Sequence, residues 1–120
     1  MLRNYLFVAL GGMVGSVLRY AASQLIRPSH FPWATLTVNV AGSLIIGLVV
    51  GYFNRPGTDD AMRLLLATGF CGGFTTYSAF STENVQLLQG GHYSTALSYI
   101  AATLLLGFGA TAAGFILTKN

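Results

Sequence analysis

The chain is short of charge. Of 120 residues, six are Lys or Arg and three are Asp or Glu, 8% in all, against ~25% in a typical soluble domain. The acids are Asp59, Asp60 and Glu83, and none falls before residue 59. Little is left for chemistry that needs paired carboxylates. No nucleophile stands with a matching base, so an enzyme is not expected. The basic residues are scattered and not interleaved with aromatics, which argues against a nucleic-acid partner. Cys71 is the lone cysteine. It can form no internal disulfide and offers no metal-ligand spacing, so it reads as a small packing residue. His30 and His92 are the two histidines, each beside turn residues, and read as solvated loop positions. Only three prolines occur, at 28, 32 and 56, and they mark turns.

What is present is apolar: 53% of the chain is hydrophobic. Four segments emerge, at about 5–26, 33–53, 62–88 and 93–118, separated by breaker-rich stretches. The spans approach the ~20 apolar residues needed to cross a ~30 Å hydrocarbon core. The expectation is an all-α membrane protein of four transmembrane helices in a single domain. The first segment is too long, and followed by too many others, to be a removable leader. Trp33, Tyr52 and Phe53 suit the interfacial belts. Four spans put both termini on one side, with Arg3, Arg55, Arg63 and Lys119. Arg27 lies on the other side, with Arg19 embedded near it, so the charge bias suggests a cytoplasmic N-terminus.

Within the spans, small and polar residues form patterns. Gly11 with Gly15, and Gly12 with Ser16, are spaced for close helix contact. Arg19 lies deep in the first segment, and two readings stand. It snorkels to the interface, or it faces a wet vestibule and draws anions. Asn39, Ser43, Gly47 and Gly51 recur every four residues, which turns Asn39 toward protein. Its amide either bonds between helices or donates to a permeating anion. The fourth segment carries a polar track, Thr95, Tyr99, Thr103, Gly107 and Thr111.

The third segment departs most from an ordinary span. Leu64 to Thr82 is uncharged and flanked by Arg63 and Glu83. Gly69, Gly72 and Gly73 interrupt it, and each Gly costs ~1 kcal/mol relative to Ala in a helix interior. Thr75, Thr76, Ser78, Ser81 and Thr82 follow. The expectation is a helix broken at the glycines. Such breaks occur at membrane depth only inside protein or against a wet cavity, and transporters place ions there. The plainer alternative is a packing helix rich in small residues. Tyr77 and Phe80, three apart, share a face if that half is helical.

Three motifs carry a resemblance: GGMVGSVLRY (Gly11 to Tyr20), TLTVN (Thr35 to Asn39) and GFCGGFTTYSAFSTE (Gly69 to Glu83). In length, span number and motif order the whole chain resembles the Fluc (CrcB-type) fluoride channel family. The resemblance implies a four-helix subunit with a broken third helix, paired as an antiparallel, dual-topology homodimer. It implies passive fluoride export across the plasma membrane, the inner membrane of a bacterium. It assigns the pore to Asn39, Tyr77 and Phe80, with Ser78, Ser81, Tyr99, Thr103 and Thr111. It assigns the vestibule or mouth to Arg19 and Glu83. It also implies a structural sodium ion at the dimer centre, held by the carbonyls of Gly72 and Thr75. Two positions depart from the family pattern. Tyr77 stands where Phe is usual, and Gly107 where a hydroxyl is expected.

These residue types suit the ion. Fluoride is small and strongly hydrated, so a pore must replace its water with donors. Asn39 offers two N–H donors, and each Ser, Thr or Tyr hydroxyl one. Aromatic edges are positive and add attraction without a fixed charge, in keeping with the weak, multiple sites that conduction needs. A four-span proton-coupled antiporter of the small multidrug type is the alternative. It requires a membrane-embedded carboxylate, which the first two segments lack. A structural subunit of a larger complex is the third reading, and would need no anion selectivity.

Overall fold

A computed structural model describes residues Met1–Asn120. The molecule is entirely helical and elongated, 51 × 29 × 22 Å. Helices α1 (Leu2–Leu25), α2 (Trp33–Phe53) and α6 (Tyr93–Thr118) are each long and apolar enough to cross a membrane. At ~1.5 Å rise per residue, α6 exceeds the ~30 Å hydrocarbon core. The remaining helical stretch is in two halves. The first is a continuous rod: α3 (Asp60–Arg63), a π-helical segment (Leu64–Cys71) and α4 (Gly72–Phe74). Thr75 and Thr76 then run extended, and α5 (Tyr77–Gln89) follows.

The break is therefore not at the glycines, as the sequence suggested, but just beyond them. Gly72 is right-handed helical, with φ −62° and ψ −37°. Thr75 (φ −87°, ψ 156°) and Thr76 (φ −147°, ψ 113°) leave the helix, a conformation that β-branched side chains favour. The glycines serve close packing instead. A Cβ on Gly69 would lie 2.8 Å from the Val8 carbonyl oxygen, and one on Gly11 would strike that of Leu65. Here α1 and the rod touch backbone to backbone, which only small residues permit.

The other tight pair is α2 with α6. Gly47 lies on the backbone of Thr111, and Gly114 on that of Leu44 and Leu48. Hydroxyls reinforce the contact: Thr111 Oγ1 donates to the Ser43 carbonyl and Thr118 Oγ1 to that of Leu48, each at 2.9 Å. The small-residue ridge of α2 thus faces α6.

The turns have identifiable devices. Asp59 caps α3 by accepting from the Ala61 N–H at 2.9 Å. Arg55 donates from Nη2 to the Thr118 carbonyl at 2.8 Å, capping α6. Between α5 and α6, Gly91 takes φ +79°. His92 N–H donates to the Leu87 carbonyl and Gly91 N–H to that of Leu88, which is the Schellman arrangement.

Candidate functional site: the helix break and its groove

An interrupted helix frees backbone groups, and in lipid each one left unpaired costs several kcal/mol. Two neighbouring helices supply partners. From α2, Asn39 Oδ1 accepts the Thr76 N–H at 2.8 Å, and Asn39 Nδ2 donates to the Thr76 carbonyl at 3.3 Å. From α1, Arg19 Nε donates to the Gly73 carbonyl at 3.0 Å. The threonines complete the set. Thr75 Oγ1 donates to the Cys71 carbonyl at 2.7 Å, and Thr76 Oγ1 caps α5 by accepting the Ala79 N–H at 3.1 Å.

Beside the break lies a groove of about 500 Å³, open on one side. Asn39, Thr75, Thr76, Tyr77, Phe80 and Thr103 all line it, and Gly72 and Gly107 join them. One of the two Asn39 amide N–H groups remains after the bond to Thr76. Thr103 Oγ1 is buried without a hydrogen-bond partner, although buried hydroxyls are normally paired. The Tyr77 and Phe80 ring centroids are 6.1 Å apart. Phe80 also meets Tyr99 at 5.0 Å and 65°, edge to face, the arrangement that aromatic quadrupoles favour. The lining includes no formally charged side chain.

A second, smaller cleft of about 180 Å³ lies between α1, α2 and α5, with Arg19, Thr35, Thr76 and Glu83 in its wall. Glu83 is tied on both oxygens. Thr35 Oγ1 donates to one at 2.8 Å, and the Tyr99 hydroxyl to the other at 2.7 Å. Tyr99 is fully buried, and Phe31, from the loop before α2, covers its ring at 5.5 Å.

The residues singled out in the sequence thus fall into groups. Asn39, Tyr77, Phe80, Thr103, Gly72 and Thr75 converge on one groove. Arg19 and Glu83 share the second cleft, and Arg19 is part-buried with its Nε on a backbone carbonyl. Tyr99 joins the two regions by its ring and its hydroxyl. Ser78 and Ser81 are exposed on α5, Ser78 Oγ lying 3.1 Å from the Thr76 hydroxyl. Thr111 lies farther along α6, bonded to α2. Thr35 and Thr76 were given no part in the pore or the vestibule. Thr35 precedes Asn39 by four residues, one helical turn, so their shared face was a usable signal. The partnership of Thr76 with Asn39 spans 37 positions and leaves no local trace.

The membrane-length helices, the satisfied break and the uncharged, donor-bearing groove define a multi-pass membrane protein whose interrupted crossing borders a polar groove. Residues 6–115 match the family described as CrcB-like protein, Camphor Resistance (CrcB). The fluoride-specific ion channel FluC of Flavobacterium psychrophilum is 43% identical over 123 residues, covering 99% of each chain. That of Azotobacter vinelandii is 48% identical over 118 residues, 95% of each chain. That of Thermus thermophilus is 46% identical over 109 residues, 88% of this chain and 87% of the other. The chain belongs to the CrcB-like family.

Proposed function

We propose that this protein is a fluoride-selective ion channel that lets fluoride leave the cell passively and so lowers its cytoplasmic concentration. The observation that carries this reading is the full-length likeness to proteins named fluoride-specific ion channels. The groove supports it chemically. The remaining Asn39 N–H and the unpartnered Thr103 hydroxyl can replace water around a small anion. The ring edges of Tyr77 and Phe80 add attraction without a fixed charge that would trap the ion. Hydrogen fluoride enters cells as a neutral acid and ionises inside. A passive path then suffices for export, because a negative-inside potential drives the anion out.

The working unit in this reading is an antiparallel homodimer in the plasma membrane. Tyr77 is 79% exposed on the single chain, and the groove beside it is open. A second copy would close that side and bring its own Tyr77 and Phe80. Ser78 and Ser81, exposed on the same helix, would then also be covered, while Tyr99, Thr103 and Thr111 continue the polar track. A structural sodium ion suits the break. Gly72 and Thr75 border the groove, and a Cβ on Gly72 would meet nothing within 4 Å, so the backbone there is approachable. Their carbonyl oxygens are hard donors of the kind an alkali cation takes. Two carbonyls are too few to replace a hydration shell, so the ion would sit where two copies meet and hold the breaks together by charge.

The test is efflux from liposomes holding the purified protein. Fluoride release with chloride retained is the expected result. Equal release of both anions, or of neither, would refute the reading. In cells, loss of the gene should raise fluoride sensitivity where no second exporter operates.

A further inference from the structure

On α1, Gly11, Gly15 and Arg19 follow one another at four-residue steps and so share a face. The face is continuous in the structure. Gly11 lies against the backbone of Leu65, Gly69 and Phe70, and Gly15 against that of Phe70 and Phe74. Arg19 comes next and reaches the Gly73 carbonyl. The two glycines bring α1 onto the rod, and the arginine meets the rod where it ends. Gly73 is in the last helical turn before the extended Thr75 and Thr76, where carbonyls lose their intrahelical partners. A cation is favoured there as well, because the C-terminal end of a helix is its negative end.

We propose that Arg19 is a positioning residue for fluoride conduction: its Nε–H holds the end of the first half-helix and thereby sets the place of Thr75, Thr76 and the groove they line. This role differs from attracting anions by charge. It rests on the reading of the protein as a fluoride channel, and it assigns the essential part of Arg19 to one N–H group. The bond uses Nε, so both terminal nitrogens remain for the cleft that Arg19 shares with Thr35 and Glu83.

Two substitutions separate the bond from the charge. In Arg19→Gln the amide nitrogen sits as many bonds from the backbone as Arg Nε, so the donor is kept and the charge lost. In Arg19→Lys the charge is kept, but the atom at that position is a methylene that cannot donate. Fluoride efflux is measured in liposomes and normalised to folded protein counted by gel filtration, with wild type alongside. The clamp predicts that Arg19→Gln conducts close to wild type and that Arg19→Lys falls by about tenfold or more. If Arg19→Lys cannot be recovered folded while Arg19→Gln can, the clamp is likewise supported. Lys conducting better than Gln overturns it, since charge would then be what counts. Equal loss in both overturns it, and so does a Lys variant that melts lower yet conducts normally per folded molecule. Failure of the wild type to pass fluoride would instead refute the channel reading.

Discussion

Asn39 and Thr76 are joined twice, through the Thr76 N–H to Oδ1 at 2.8 Å and through Nδ2 to the Thr76 carbonyl at 3.3 Å. A side-chain amide here pairs with both backbone groups of one residue much as a neighbouring strand would. The same amide lines the groove, so one residue both holds the break and faces the proposed ion path. Asn39→Asp keeps the shape and one acceptor but places a second oxygen against the Thr76 carbonyl. It also removes every donor and, when ionised, repels an anion. The expected outcome is a fluoride flux lowered roughly tenfold or more, equivalent to ~1.4 kcal/mol in a barrier, with dimers still recovered and melting at a lower temperature. Flux at the wild-type level would show that Asn39 only packs.

Tyr77 and Phe80 differ in what surrounds them. Phe80 has the Tyr99 ring edge-on at 5.0 Å, whereas Tyr77 is 79% exposed on the single chain. Tyr77→Phe removes only a hydroxyl for which the structure records no hydrogen bond, and transport should persist with at most a modest rate change. Phe80→Ile removes a ring edge and also the contact with Tyr99. Flux per folded protein should drop sharply, alongside a stability loss of roughly 1–3 kcal/mol for the shape change. Flux and melting measured on the same samples separate the two effects. A less stable Phe80→Ile protein that conducts normally would remove Phe80 from the path.

The fold class was legible because long apolar runs lie between turns rich in Pro, Gly and charge, and little else forms helices of that length. The interruption of the third crossing near its middle was legible too, but it was attributed to the glycines rather than to the threonines that follow them. The helix penalty of Gly describes an isolated helix. At Gly69 and Gly73 it is outweighed by close contact with α1, and the β-branched Thr75 and Thr76 leave the helix instead. The groove residues were found through motifs, yet their connections were not. Arg19 to Gly73 and Thr35 to Glu83 join positions 54 and 48 apart, and no local pattern encodes which donor meets which carbonyl.

Adjacent glycines on α1 should respond differently to one methyl group. A Cβ on Gly11 would strike the Leu65 carbonyl and lie 3.0 Å from the Gly69 Cα, whereas one on Gly12 would meet nothing closer than the Gly69 carbonyl at 3.8 Å. Backbone cannot move aside as a flexible side chain can. Gly11→Ala should therefore destabilise by ~1–3 kcal/mol, and Gly12→Ala should be nearly neutral or slightly stabilising through helix propensity. Melting of the two purified variants in detergent checks this. Equal melting temperatures would mean that α1 and the rod are not in backbone contact.

Glu83 supports the final prediction, because both its oxygens are taken by hydroxyls from other helices, Thr35 on α2 and Tyr99 on α6. Replacing it by Gln keeps the size but supplies only one accepting oxygen. The NH2 group would face a hydroxyl that now must accept, and the displaced proton has no other partner recorded for Tyr99, which is fully buried. Leaving a buried donor unpaired costs ~1–3 kcal/mol, so Glu83→Gln should lower stability by about that much. Tyr99→Phe alone should also destabilise, since it leaves one carboxylate oxygen without its donor. The two changes together remove both halves of one bond, so their effects should fall short of the sum by ~0.5–3 kcal/mol, the range for directly interacting residues. A double-mutant cycle on unfolding in detergent measures that coupling. Strictly additive effects would mean that the Tyr99–Glu83 bond contributes nothing to holding α5 against α6.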